Sequence, residues 1–188
     1  MIIINFEKNG EKTRAEMPSK WEEMTVKQYL QIETTSNNLE LLALLSGVPL
    51  SDILNTKTDL TPIIQKMVEL LNQRPPDFKK VPRRIINIEG KRIKIPSDFS
   101  RVTFGQSALI EQYLGESADD ERGAIARVMG VILQPLIDGG KFNLDRAAEI
   151  TRTVENMAIV DVFPNVFFFW QKLQQSIIIG RVNSNLSR

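Results

Sequence analysis

The chain repeats part of its own sequence, and this repeat constrains the fold more than any other feature. Residues 18–28 match residues 96–106 at a constant offset of 78, and both segments begin with Pro-Ser. Upstream, Ile4–Glu7 matches Ile86–Glu89 at an offset of 82, so the turn between the two matches is shorter in the second copy. Hairpin tips tolerate such changes of length. The repeat therefore predicts a duplicated unit of about 80 residues, followed by a C-terminal extension.

Each copy is predicted to begin with a β-hairpin. In the first copy, residues 1–7 are mainly apolar and β-branched, and Asn9-Gly10 suits a tight turn because both residues tolerate positive φ. In the second copy the turn shortens to Gly90, and the return strand Arg92–Ile95 alternates basic and apolar residues. That alternation indicates one buried and one solvated face.

A helix is predicted after each hairpin. Thr25–Gln28 and Thr103–Gln106 both fit the capping box. In this motif the threonine hydroxyl accepts from the third helical N–H, while the glutamine side chain reaches back to the threonine N–H. Trp21 and Phe99 precede the two boxes at equivalent positions. We expect both aromatic side chains to fill the core between hairpin and helix.

Two further helices are expected in each copy. The apolar segments 41–48 and 124–131 match at an offset of 83, and each reaches a glycine. In the first copy the chain is expected to continue as a loop after Pro49, and Thr61 is a candidate cap for the third helix. In the second copy the third helix is expected at residues 146–157. The side chains expected on the apolar faces of these third helices are Ile63, Ile64, Met67, Val68, Leu71, Ala147, Ala148, Ile150 and Val154.

Together these patterns predict an α+β fold that is mainly helical. It is a tandem duplication of a β-hairpin plus three-helix unit, with a C-terminal helix rich in aromatic residues. The expected organisation is a first unit at 1–74, a Pro-rich and basic linker at 75–83, a second unit at 84–157, and a C-terminal helix and polar tail at 158–188.

The composition excludes several classes of enzyme. The 188 residues contain no cysteine and no histidine, so cysteine nucleophiles, Ser-His-Asp triads and the usual zinc ligands are all missing. The phosphate-binding Gly-Lys-Ser/Thr loop is also absent from the sequence. No apolar run reaches the roughly 18 residues that a membrane span needs. We therefore expect a protein that binds rather than converts, with no catalytic residue, no cofactor, no metal site and no membrane contact.

The C-terminal aromatic segment is the first candidate for a binding surface. Four aromatic residues occur in a row, at 167–170, and they extend around more of a helix than one buried face requires. Aromatic side chains dominate many protein interfaces, so self-association or a partner is expected. The alternative is that this segment holds the two copies together from within. The candidate partner-contact residues are Phe163, Phe167, Phe168, Phe169, Trp170 and Ile177.

A basic stretch is the second candidate. It could contact phosphate groups or an acidic protein surface, or it could be the solvated side of the second hairpin. The net charge of +1 argues against a dedicated nucleic-acid binder, because such proteins must neutralise phosphates. The residues of this candidate patch are Lys79, Lys80, Arg83, Arg84, Lys91 and Arg92.

Residues Met17–Leu30 read Met-Pro-Ser-Lys-Trp-Glu-Glu-Met-Thr-Val-Lys-Gln-Tyr-Leu, and Ile95–Ala108 repeat them loosely. This pattern resembles small structural-module proteins of tailed bacteriophages, which are neck or tail components or tail-assembly proteins. The resemblance implies a non-enzymatic ring, adaptor or neck–tail component that contacts other phage structural proteins or copies of itself. It also implies a virion protein that is assembled in the host cytoplasm. The alternatives are a tail-assembly chaperone and a nucleic-acid-binding module that uses the basic stretch 79–94.

Overall fold

A computed structural model describes residues 1–8, 11–32, 34–78, 85–95, 102–115 and 121–165. The fold is α+β and mainly helical, with two small antiparallel hairpins, as the sequence predicts. The chain divides into two compact units, unit 1 (Met1–Pro76) and unit 2 (Asp77–Arg188). The division falls inside the segment 75–83 that was expected to link the two copies.

Unit 1 begins with the longer hairpin. Strand β1 (Ile2–Lys8) pairs antiparallel with β2 (Glu11–Met17), with Ile2 opposite Met17 and Lys8 opposite Glu11. Side chains alternate along the strands, so Ile4, Phe6 and Met17 are buried while their neighbours face solvent. The predicted Asn9-Gly10 tip lies outside the described residues.

Helices form the rest of unit 1. They are a 3₁₀ turn at Trp21–Glu23, α1 (Val26–Ile32), α2 (Asn38–Ser46), α3 (Leu50–Asn55) and α4 (Thr61–Leu71). Trp21 is 8% exposed, and its Nε1 donates to the Gln73 carbonyl at 3.1 Å, which confirms that it fills the core. Its counterpart Phe99 lies outside the described residues.

Three predictions for unit 1 are wrong. Val68 is exposed on α4 instead of lying on its buried face. Helix α3 occupies the segment after Pro49 that was expected to be a loop, because Pro49 starts a short helix whose Ile53 is buried. Thr61 is the first residue of α4 rather than its cap. The Asp59 carboxylate accepts from the Thr61 N–H at 3.0 Å and so satisfies a free donor of the first turn instead.

Unit 2 has the shorter hairpin and longer helices. They are β3 (Ile85–Ile88), β4 (Lys91–Lys94), α5 (Phe104–Gly115), α6 (Glu121–Asp138), α7 (Leu144–Glu155) and a helical segment at 159–165. The turn consists of Glu89 and Gly90, with φ of 50° and 72°, so Glu89 belongs to the turn and not to the strand. Ala148 is exposed, because the face of α7 that α6 covers carries Ala147, Ile150 and Val154.

Helix α6 does not stop at its glycine. Gly47 ends α2 with φ of 69°, but Gly130 lies inside α6, where α7 comes close. A Cβ atom on Gly130 would lie 2.2 Å from Thr151 Oγ1 and 2.5 Å from the Ala147 carbonyl oxygen. Glycine is therefore needed at 130 for close packing of α6 on α7, whereas at 47 it supplies the left-handed conformation of a helix end.

Both predicted capping boxes are present. In unit 1, Thr25 N donates to Gln28 Oε1 at 2.9 Å, and Gln28 N donates to Thr25 Oγ1 at 3.2 Å. In unit 2, Thr103 N donates to Gln106 Oε1 at 3.0 Å, and Gln106 N donates to Thr103 Oγ1 at 3.3 Å. The same local motif therefore starts α1 and α5, as expected of a duplicated unit.

Each capping glutamine also binds the core helix of its unit. Gln28 Nε2 donates to the Leu45 carbonyl at 2.9 Å, and Gln106 Nε2 donates to the Val131 carbonyl at 3.0 Å. In both units the residue four positions after the acceptor is proline, Pro49 or Pro135, which has no N–H to give that carbonyl. The repeated hydrogen bond makes Val131 the equivalent of Leu45, an offset of 86. The sequence match of the two core helices has an offset of 83, so the two alignments differ by three residues, about one helical turn.

Candidate functional site

The most exposed large apolar side chain in the described part of the chain is Phe104, the first residue of α5. It is 91% exposed. The equivalent residue of unit 1 is Val26, the first residue of α1, and it is fully buried at 0%. Two equivalent positions thus have opposite surroundings, and the exposed one carries the larger side chain. Exposure of a whole phenyl ring to water is unfavourable, which makes Phe104 a candidate for contact with a partner.

The backbone beneath Phe104 is firmly held. Phe104 lies between Thr103 and Gln106, which form the capping box of α5. Gln106 is buried and its amide reaches the Val131 carbonyl of α6, so the start of α5 is bonded to the core of unit 2. Because the backbone at Phe104 is already fixed, little backbone conformational entropy is lost when a partner binds there. We call this arrangement the α5 anchor: Phe104 on the capped end formed by Thr103 and Gln106.

The structure describes one of the six residues of the predicted aromatic interface. Phe163 is 4% exposed, and its ring centroid lies 5.2 Å from that of Phe78 within unit 2. Phe163 is therefore packed inside the chain, because the helical segment 159–165 turns its Val162 and Phe163 towards the interior. The other five candidates lie outside the described residues; they are Phe167, Phe168, Phe169, Trp170 and Ile177.

The structure describes two of the six residues of the predicted basic patch. Lys91 and Arg92 are exposed on β4, but Lys91 Nζ donates to the Ile137 carbonyl at 2.8 Å. This ammonium therefore binds a free carbonyl in the last turn of α6, where a cation is favoured. The other four candidates lie outside the described residues; they are Lys79, Lys80, Arg83 and Arg84.

No family model, curated protein or solved structure matches the chain. Its function is therefore argued from its own residues.

The described residues include no group of three or more acidic, histidine or cysteine side chains that could hold a metal ion. A cavity in unit 1 has a volume of only about 10 Å³ and is lined mainly by apolar side chains, among them Ile4, Phe6 and Leu42. That volume corresponds to about one water molecule. In the same described part, no helix is long and apolar enough to cross a membrane.

Among the described residues, Glu23 has the most strongly shifted carboxylate pKa. Glu23 accepts from the Met1 ammonium and from the Ser19 N–H, each at 2.8 Å. The ammonium first, and the Ser19 N–H second, lower the pKa of Glu23 to about 2. The Glu23 carboxylate thereby joins the start of β1 to the 3₁₀ turn.

The sequence did not indicate Phe104 as a candidate. The capping box predicts a helix start in both copies, whichever residue follows its threonine. The available signal was the replacement of Val26 by a larger aromatic residue at an otherwise matched position. The larger side chain did not by itself predict exposure. The first helical residue lies at the edge of the apolar face, so its burial depends on which other elements pack over it.

Proposed function

We propose that the chain is a non-enzymatic structural protein of a tailed bacteriophage, a ring, adaptor or neck–tail component that acts by protein–protein contact. The missing histidine and cysteine and the phage-like pattern at Met17–Leu30 support this class. The observation that carries the contact mechanism is the α5 anchor, with a phenyl ring 91% exposed on a firmly bonded helix start.

The duplication supports an asymmetric contact. The two units share the capping box, yet at the residue after the threonine only unit 2 exposes an apolar side chain. Each chain therefore offers one aromatic anchor at this repeat position instead of two. A contact that joins different patches of neighbouring subunits is heterologous, and such contacts close into rings when the rotation allows it. This is the geometry that a neck or tail ring requires.

The proposed class is tested by mass spectrometry of purified particles from the phage whose genome encodes the chain. A structural component is expected at a fixed stoichiometry to other particle proteins. A tail-assembly chaperone would be abundant in infected cells and missing from the particles. A nucleic-acid-binding module would instead retain DNA with a steep dependence on salt, since its affinity would rest on phosphate contacts.

The contact mechanism is tested by Phe104→Ala, with Leu144→Ala as its matched control. Leu144 is also an exposed apolar residue, 52% accessible, and it is also the first residue of a capped helix, after Asn143. We expect Phe104→Ala to weaken incorporation into particles or self-association by at least about tenfold, as for an aromatic hot spot, at unchanged thermal midpoint. If both variants behave like the wild type, the contact lies elsewhere.

A further inference from the structure

The second hairpin is too small to be stable by itself. Strands β3 and β4 have four residues each, and they form a two-stranded sheet with Ile88 opposite Lys91. Isolated two-stranded hairpins are marginal at best in water. Its apolar face is covered in unit 2, and the buried side chains on or next to its strands are Ile86, Ile88, Ile93 and Ile95.

Charged side chains join the turn of this hairpin to the corner between α6 and α7. The Arg146 guanidinium, in the first turn of α7, pairs with the Glu89 carboxylate of the turn. The same guanidinium pairs with Asp138 at the end of α6, from Nε at 3.4 Å, and with Glu149 on α7, from Nη1 at 2.9 Å. Lys91, directly after the turn, donates to the Ile137 carbonyl of α6.

The backbone of Glu89 has a conformation that glutamate seldom adopts. Glu89 has φ of 50°, a conformation that costs energy for any residue with a side chain. Asparagine, aspartate or glycine would suit this turn position better. Glutamate at this position supplies a carboxylate that reaches Arg146.

The Arg146 side of this pairing stays charged, and the pairing is open to salt. Glu89, and then Glu149, raise the pKa of Arg146 above its already high usual value, so the guanidinium stays charged. The side chains of Arg146 and Glu89 are about 30% exposed, at 30% and 29%, so mobile ions reach them.

We propose that Arg146, Glu89 and Lys91 form an ionic latch that holds the β3–β4 hairpin against the α6–α7 corner. Release of the latch makes the hairpin open locally more often, while α6 and α7 stay folded. Ionic strength thereby changes the small fraction of open hairpin. Opening uncovers the isoleucines of the hairpin, and this inference does not depend on the proposed phage function.

The test is native-state hydrogen exchange of the whole chain, comparing amides of residues 85–94 with amides of α6 and α7. In Glu89→Gln and in Arg146→Gln, we expect hairpin amides to exchange about three- to tenfold faster at low salt, with α6 and α7 amides unchanged, as for the loss of a partly exposed ion-pair network. Arg92→Gln is the matched control, because Arg92 is exposed on β4 and is not part of the latch.

A second measurement needs no substitution. In the wild type, raising the ionic strength from about 0.01 M to about 1 M shortens the screening length from about 30 Å to about 3 Å. Hairpin exchange should accelerate towards that of Arg146→Gln, which should itself depend less on salt than the wild type does. The proposal is overturned if hairpin exchange ignores both salt and the substitutions, or if hairpin and helix amides accelerate together, since the ion pairs would then stabilise unit 2 as a whole.

Discussion

Gly130 lies where α7 comes close to the backbone of α6. Its replacement by alanine would place a Cβ atom 2.5 Å from the Ala147 carbonyl oxygen, a backbone atom that cannot rotate away. Forcing the helices apart costs about 1–3 kcal/mol, and alanine regains up to about 1 kcal/mol of helix propensity. We expect Gly130→Ala to lower the free energy of unfolding in urea denaturation.

Gly105 is the matched control for this prediction. It lies in the first turn of α5, and a Cβ atom there would meet no atom within 4 Å. With helix propensity as the only contribution, Gly105→Ala should leave the free energy of unfolding unchanged or raise it by up to about 1 kcal/mol. Equal effects of the two substitutions would mean that α6 and α7 separate easily at Gly130.

At the scale of elements, the contact between Gln106 and Val131 connects α5 to α6. Pro135 leaves the Val131 carbonyl without its usual helical donor, and the buried Gln106 amide supplies one. Removing the amide leaves a buried acceptor unsatisfied, which costs about 1–3 kcal/mol. We expect Gln106→Ala to destabilise the protein by at least this amount, since its capping bond is lost as well.

A double-mutant cycle isolates the carbonyl. Pro135→Ala restores an N–H four residues after Val131, so the carbonyl regains a donor within α6. Gln106→Ala should therefore cost about 1 kcal/mol less in the Pro135→Ala background, as measured by urea denaturation. A coupling energy near zero would show that the glutamine stabilises unit 2 through its capping bond alone.

The elements also show how far the sequence predicts this fold. The four residues of a capping box interact locally, so Thr25–Gln28 and Thr103–Gln106 were sufficient to predict both helix starts. Each glutamine also donates to a carbonyl of the core helix. That hydrogen bond depends on a proline in another helix and on how the helices pack, so a local sequence pattern cannot predict it. For the same reason the sequence match aligned Gly130 with Gly47, although their roles differ. Gly130 lies against α7, whereas Gly47 ends α2.

For the whole molecule, the repeat predicted the hairpin-plus-helices architecture of both halves, because it reflects hydrophobic pattern and turn chemistry over many residues. It did not predict the candidate site. The α5 anchor is a place where the two copies differ, and a comparison that searches for similarity passes over Val26 and Phe104 as equivalents. Function in a duplicated chain can thus lie in the departures from the repeat.

The last prediction concerns how far a local disturbance spreads between the two units. Trp21 binds the Gln73 carbonyl, 52 residues further along the chain, and so joins the beginning and the end of unit 1. Trp21→Ala removes a large buried side chain and should cost about 3–5 kcal/mol. Because each unit has its own buried core, we expect hydrogen exchange to accelerate for core amides of unit 1, such as those of α2, and to stay unchanged in α6 and α7. Gly130→Ala should give the reverse pattern. If each substitution accelerates exchange equally in both units, the two halves unfold as one cooperative structure despite their separate cores.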